Sequence, residues 1–112
     1  MTPVLFICAP STQADRTEAT LRSHGLNVTR ADNICVAEMY AEAEPFEAAI
    51  YYQSLSQEDQ ASLARVMRIR WPWIKIIRWV SPGDPPPLDE ALFDCTVLSE
   101  SELTSCIEGR LR

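Results

Sequence analysis

Short apolar runs that alternate with helix-like segments constrain this chain more than any other feature of its sequence. The clearest is the continuous run at residues 4–8, and further strand-like segments begin at Leu26, Phe46, Ile74 and Cys95. An uninterrupted apolar run is typical of a strand that is buried on both faces. Strands that alternate with helices require βαβ crossovers, so the sequence predicts an α/β domain with a five-stranded parallel sheet covered by helices on both faces.

Capping residues and prolines indicate where the helices begin and end. Ser11 or Thr12 is suited to cap a first helix, and Gly25 is suited to end it. Residues 81–87 contain four prolines, which remove backbone donors and stiffen the chain. The sequence therefore predicts only a stunted fourth helix over residues 88–92 within a set of five.

Length and composition indicate a single compact domain over residues 1–112. Hydrophobic residues make up 46% of the chain, which is ordinary globular composition. The net charge of −6 opposes general nucleic-acid binding, because neutralising phosphates supplies most of that affinity. The apolar run near the N-terminus is too short for a signal peptide, and we expect a cytoplasmic protein with no membrane span.

The four cysteines, Cys8, Cys35, Cys95 and Cys106, form no C-x-x-C pair. The single histidine, His24, has no cysteine close to it in the sequence, so the spacing typical of a zinc site is missing. We therefore expect reduced, mostly buried thiols, with no metal and no cofactor.

The order, spacing and length of these segments resemble the receiver domain of two-component response regulators. The resemblance rests on the strand that begins at Val4, on Leu21-x-x-x-Gly25 followed by a strand, and on the helix at 33–40 that leads into the strand at 46–52. It implies a flavodoxin-like three-layer sandwich with strand order 2-1-3-4-5. It also implies a site at the carboxyl ends of strands one, three and five.

This sequence lacks the acidic residues with which receivers hold Mg²⁺ and accept a phosphoryl group. The resemblance puts Cys8 and Ala9 at the two metal-binding positions. It puts Tyr52 at the phosphate-accepting aspartate, or Gln53 or Ser54 with a small shift in register. Magnesium prefers hard oxygen ligands, and a thiol and a methyl group supply none.

The two remaining receiver positions also depart from the pattern. Arg78 or Trp79 takes the place of the Ser or Thr that ends strand four, and Leu98 or Ser99 takes the place of the strand-five lysine. The resemblance thus predicts a non-enzymatic pseudo-receiver that acts through protein contact.

An enzymatic alternative starts from Cys8 at the end of the first strand. Cys8 followed by Arg16 resembles the phosphate-binding loop of low-molecular-weight tyrosine phosphatases, and Asp84-Pro85 resembles their general acid. The spacing is Cys-x7-Arg rather than Cys-x5-Arg, and Pro10 removes an N–H from the loop. Phosphoryl transfer through Cys8 and Arg16 is the second hypothesis.

A candidate partner-binding surface lies near the end of the chain, at Leu88, Leu92, Phe93 and the last helix with Cys106. In receivers the corresponding face commonly mediates dimers and output contacts. The resemblance therefore implies a protein partner or a second copy of this chain.

Half of the basic residues lie within fourteen positions, in or directly beside which all three tryptophans lie: Arg65, Arg68, Arg70, Lys75 and Arg78, with Trp71, Trp73 and Trp79. Basic residues interleaved with aromatic ones can hold single-stranded nucleic acid. The same pattern also fits a solvated helix face or a protein contact, and the acidic remainder of the chain argues against nucleic acid.

Overall fold

A computed structural model describes residues 2–43, 45–52, 56–81, 83–84, 86–87 and 89–110. Their elements, in chain order, are β1 (Thr2–Ile7), α1 (Thr12–Ser23), β2 (Leu26–Ala31), α2 (Ile34–Ala43), β3 (Ala48–Tyr52), α3 (Gln57–Arg70), β4 (Lys75–Trp79), a 3₁₀ helix (Glu90–Leu92), β5 (Cys95–Val97) and α4 (Glu100–Arg110).

The five strands form one parallel sheet in the order β2-β1-β3-β4-β5. This confirms both the predicted fold class and the strand order that the resemblance implied. The order reverses between β1 and β3, and ligand sites of open α/β sheets lie beside such a reversal at the carboxyl ends of the strands.

Successive residues of each strand face opposite layers, which explains why the central strands β1 and β3 are apolar on both faces. In β1, Val4 and Phe6 pack in one core with residues of α1 and α4, such as Leu21 and Leu103. Leu5 and Ile7 pack in the second core with α2 and α3. The sheet therefore separates two apolar layers, and exposed polar residues occur in the edge strands, at Asn27 of β2 and Thr96 of β5.

Side-chain caps begin the helices at the positions that the sequence indicates. The Ala14 N–H donates to Ser11 Oγ at 3.0 Å, which selects Ser11 as the cap of α1. The Glu102 N–H donates to Ser99 Oγ at 3.1 Å in the same way for α4. Gly25 follows α1 with φ +83°, a conformation that favours glycine.

The predicted stunted helix is shorter than expected. Only Glu90–Leu92 form a 3₁₀ turn, in which Asp89 Oδ1 accepts the Ala91 N–H at 3.0 Å. Four α-helices, rather than five helices, therefore cover the sheet in the described parts of the chain. The neighbouring prolines lack the N–H groups that a longer helix would need. Leu88 lies outside the described residues.

The spacing of Leu63, Val66 and Met67 predicts that all three lie on one packed side of α3, and for Val66 this is wrong. Val66 is 49% exposed, whereas the other two are buried. The thiols are also less buried than expected. Cys8 is buried, Cys35 is exposed, and the other two cysteines are half-buried. None of the four forms a disulfide. Cysteine packs as a small apolar residue, so a buried, a half-buried and an exposed position all accommodate it.

Candidate functional site

The carboxyl ends of the central strands meet at Tyr52, the last residue of β3. Tyr52 pairs in register with Trp79, and Trp79 pairs with Val97. On the other side of β3, Ile7 pairs with Tyr51, so Cys8 follows beside Tyr52. The register thus brings Cys8 and Tyr52 together, as the resemblance to receivers implied.

Aromatic rings fill the sheet surface around Tyr52. The Tyr52 ring packs edge-on against Trp79 with centroids 4.8 Å apart, and against Phe6 with centroids 6.3 Å apart. Edge-to-face pairs of this kind contribute about 0.5–1.5 kcal/mol each beyond their burial. Phe6 is fully buried and Trp79 is 6% exposed, so this part of the site is an apolar packing surface.

Cys8 and Ala9, which follow β1, present no side-chain oxygen. Cys8 is 2% exposed, and its thiol donates to the Ala9 carbonyl at 3.3 Å. The Cys8 N–H donates to the Ala31 carbonyl at 3.0 Å, which continues the pairing of β1 with β2. No group of three His, Cys, Asp or Glu side chains suited to a metal ion occurs in the described residues. The donor set does not fit Mg²⁺, which requires oxygen ligands.

Arg30 of β2 lies over this end of β1, and no signal in the sequence selects it. Its guanidinium donates to the Cys8 carbonyl from Nε and Nη2 and to the Ala9 carbonyl from Nη2, each at 3.4 Å. It also lies 5.5 Å from the centroid of the Phe6 ring. A positive charge of the chain itself therefore occupies the space beside the two carbonyls.

Three carboxylates surround the Arg30 guanidinium. Asp15 lies at 3.3 Å, Glu18 at 3.5 Å and Asp32 at 3.6 Å. The Arg30 side chain is only 15% exposed, so these charges interact through a partly desolvated group. The acidic side chains beside the end of β1 are thus already paired with a cation.

Arg78 lies on the opposite face of the sheet from Tyr52, because it alternates with Trp79. It is 4% exposed, and its Nε donates to Gln60 Oε1 of α3 at 2.9 Å. Burial lowers the pKa of Arg78, and the charge of Asp84 opposes that shift. Trp79 is therefore the residue of this pair that adjoins Tyr52, and Arg78 belongs to the layer under α3.

Leu98 follows β5 at the position of the receiver lysine and is 49% exposed. Its N–H donates to Glu102 Oε2 at 2.6 Å, so its backbone is tied to the first turn of α4. An aliphatic side chain supplies no positive charge for a phosphoryl group.

The predicted partner surface surrounds the edge of the sheet at β5. Leu92 and Phe93 pack partly buried on the α3 side, with Phe93 edge-on to Tyr51 at 5.8 Å. Cys106 packs partly buried on the α4 side. We call these three residues the β5-edge surface. A shallow groove of about 320 Å³ adjoins it, lined by Pro87, Phe93, Asp94, Cys95 and Thr96.

The second hypothesis needs a reactive thiolate at Cys8 and a phosphate-binding arginine at Arg16. The Cys8 thiol is buried and donates its proton to a carbonyl, whereas catalytic cysteines are thiolates that substrate can reach. Arg16 lies on the exposed side of α1. This arrangement gives the phosphatase hypothesis no support.

The basic and aromatic cluster is divided between the interior and the surface. Arg68 pairs with Asp94 at 2.6 Å, while Trp71 and Trp79 are buried. Arg65, Arg70 and Trp73 remain exposed.

No helix in the described ranges is long and apolar enough to cross a membrane. No protein-family model matches the chain, and no curated protein matches it either. Solved structures do match along nearly the whole chain.

A CheY-like response regulator receiver domain protein from Methanospirillum hungatei is 18% identical, with 99% of this chain and 94% of that chain covered and a TM-score of 0.82. The receiver domain of a sensor histidine kinase from Pseudomonas aeruginosa, which holds magnesium in its active-site cleft, is 21% identical, with coverages of 98% and 97% and a TM-score of 0.81. The response regulator TrrA from Thermotoga maritima, in complex with Mg²⁺ and BeF, is 16% identical, with coverages of 97% and 98% and a TM-score of 0.81. At these identities the likeness is one of fold, and the chain has the receiver fold.

Proposed function

We propose that this chain is a non-enzymatic pseudo-receiver, a signalling module with the receiver fold that neither binds Mg²⁺ nor accepts a phosphoryl group. The observation that carries the proposal is the edge-on contact of Tyr52 with Trp79 at 4.8 Å, at the end of β3 where the resemblance places the acceptor aspartate. A phenol that packs in an aromatic cluster supplies no carboxylate for metal or phosphate.

The surroundings of Tyr52 support the same conclusion. Cys8 and Ala9 bring no oxygen ligand, and Leu98 brings no cation. Arg30 already pairs with the carboxylates beside the end of β1. A divalent ion there would have to compete with a cation that cannot dissociate or be deprotonated. The site is therefore fixed in one charge state.

Incubation with acetyl phosphate and Mg²⁺, followed by intact-mass measurement, tests the proposal directly. A receiver that accepts phosphate from acetyl phosphate serves as the positive control. We expect no phosphoryl adduct and no change in tryptophan fluorescence on addition of beryllofluoride. A Mg²⁺-dependent adduct that maps to an aspartate would overturn the proposal.

Hydrolysis of an aryl phosphate tests the enzymatic hypothesis. We expect no turnover above the uncatalysed rate, and no difference between the native chain and the Cys8→Ser variant. Turnover that Cys8→Ser abolishes would overturn the pseudo-receiver proposal in favour of a cysteine phosphatase, because only a nucleophilic thiolate accounts for that result.

The module would act by contact at the β5-edge surface, with a second copy of this chain as the partner. β5 is a short edge strand, and edge strands leave backbone groups open to pairing with another chain. Two copies that meet edge to edge form a closed twofold pair. We place the module in the cytoplasm, since none of the four cysteines forms a disulfide.

Size-exclusion chromatography with light scattering tests this pairing. We expect a dimer at micromolar concentrations that Leu92→Glu converts to a monomer. The matched control is Val66→Glu, which introduces the same charge on α3. If the native chain stays monomeric at high micromolar concentration, the proposal of a homodimer is wrong.

A further inference from the structure

The outward face of α3 exposes apolar side chains that the fold does not use. Ile69 is 83% exposed, Val66 is 49% exposed, and Trp73, just after the helix, is 55% exposed. The same helix buries Leu63 and Met67 against the sheet. A surface helix normally has one apolar side, so a second apolar side indicates a contact outside this domain.

These residues follow the spacing of a helix-packing seam. Ser62, Val66 and Ile69 are separated by four and three positions within α3, and Trp73 follows four positions later, beyond the end of the helix at Arg70. Side chains with the first spacing lie on one side of a helix, where a second helix can pack along them. The span from Ser62 to Ile69 is about 10 Å, which accommodates roughly two turns of a partner helix.

Arg65 and Arg70 flank Val66 and Ile69 toward the end of α3, whereas the acidic Glu58 and Asp59 lie in its first turn. Arg65 and Arg70 are exposed on α3, and Arg70 Nη2 donates to the Glu42 carbonyl at 2.6 Å. A partner with carboxylates would therefore match this face.

A second copy of the chain does not satisfy both the apolar and the charged groups. In an antiparallel pair, setting Val66 opposite Ile69 of the other copy also sets Arg65 opposite Arg70. In a parallel twofold pair, each arginine lies opposite the same arginine of the other copy. Setting Glu58 opposite Arg65 removes the repulsion, but then Ile69 extends past the end of the other helix. Setting Glu58 opposite Arg70 also removes it, but then Ile69 lies opposite the acidic Asp59.

We infer that this α3 face docks an acidic amphipathic helix of another protein, which packs its apolar residues on Val66 and Ile69 and sets carboxylates against Arg65 and Arg70. The apolar contacts supply the affinity, and the two arginines select an acidic partner over a basic one. The inference is independent of the state of the site at Tyr52.

Two synthetic peptides test the inference. Each has about three heptads with Leu at the a and d positions, and the flanking e and g positions are Glu in one peptide and Lys in the other. Trp73 reports binding by a blue shift of its fluorescence, because Trp71 and Trp79 are already buried. We expect the Glu peptide to bind and the Lys peptide to bind at least about tenfold more weakly.

Variants of the native chain then locate the contact. We expect Ile69→Ser to weaken binding of the Glu peptide by at least about tenfold. We expect Arg65→Glu to reverse the preference, so that the Lys peptide binds more tightly than the Glu peptide. Leu98→Ser is the matched control, because Leu98 is as exposed as Val66, at 49%, but lies at the end of β5. Circular dichroism checks that each variant remains folded, and these exposed sites are expected to tolerate the changes.

Three results would overturn the inference. The first is a Glu peptide that does not bind, or that binds equally well to Ile69→Ser. The second is self-association of the chain that Ile69→Ser abolishes, which would make this face a homodimer interface. The third is salt-sensitive binding of a single-stranded oligonucleotide that Arg65→Glu abolishes, which would assign the face to nucleic acid.

Discussion

Arg68 of α3 donates to the Asp94 carboxylate at 2.6 Å, immediately before β5 begins. The same guanidinium donates to the Ile74 carbonyl at 2.7 Å and to the Leu92 carbonyl at 3.0 Å. Asp94 in turn accepts the Ile76 N–H at 2.7 Å. One half-buried ion pair therefore joins α3, β4 and the segment that leads into the edge strand.

We expect Arg68→Ala to lower the free energy of unfolding by about 2 kcal/mol, because it leaves a partly buried carboxylate and two carbonyls without their donor. Arg65→Ala, at an exposed position of the same helix, should cost less than about 0.5 kcal/mol. Urea denaturation of the two variants measures both values. Equal losses would mean that the pair adds nothing beyond a surface charge.

From the carbonyl and carboxylate contacts of Arg30 we predict that Arg30→Ala lowers the free energy of unfolding by an amount that depends on salt. We expect the free energy of unfolding to fall by about 1.5 kcal/mol in low salt and by less at about 1 M salt, since salt screens the ion pairs but not the hydrogen bonds to Cys8 and Ala9. Arg16→Ala is the control, because Arg16 is exposed on α1. A loss that does not change with salt would show that the carbonyl hydrogen bonds and packing on Phe6 dominate over the ion pairs.

Restoring the acceptor alone should not restore receiver chemistry. We expect Tyr52→Asp to remain unlabelled by acetyl phosphate and Mg²⁺, because the residues after β1 and β5 still lack carboxylates and a lysine. We also expect it to lose about 2–3 kcal/mol of stability, because a carboxylate replaces a ring that packs on Trp79. Tyr52→Phe keeps the ring and should unfold close to the native chain. Labelling of Tyr52→Asp would show that the chain can still coordinate the metal.

The buried hydroxyl of Tyr51 should make the free energy of unfolding depend on pH in the alkaline range. Burial raises the pKa of the Tyr51 hydroxyl far above its usual value, and the nearby charge of Arg68 offsets only part of the shift. Above about pH 10 the unfolded chain loses this proton while the folded chain keeps it, so stability falls as pH rises, by up to about 1.4 kcal/mol per pH unit for this group. Below about pH 10 the Tyr51 hydroxyl is protonated in both states, so its contribution to stability is fully present.

Urea titrations between about pH 9 and pH 11 check this slope against the Tyr51→Phe variant. That variant loses the hydrogen bond from the hydroxyl to Met67 Sδ at 3.2 Å, which we expect to cost about 1 kcal/mol near neutral pH. Its stability should then decrease less steeply with pH than that of the native chain. Parallel slopes would assign the alkaline loss to other groups.

The sequence alone predicted the sheet and its crossovers. The apolar run in β1 has no polar face, and Ser11 and Gly25 are of types suited to the two ends of a helix, so both signals are local. The positions of Cys8 and Tyr52 at the ends of their strands follow from the same pattern, because a strand ends where its apolar run ends. The strand order came from the resemblance to receivers.

Only the tertiary structure decided what surrounds those positions. Arg30 is far from Cys8 in sequence and meets its carbonyl only because β2 and β1 pair in parallel. The same register turns Trp79 toward Tyr52 and Arg78 toward Gln60, a choice that a shift of one residue would reverse. Exposure of Val66 likewise depends on how α3 rotates against the sheet. Periodicity defines the apolar positions of a helix, but contacts between distant segments determine which of them become buried.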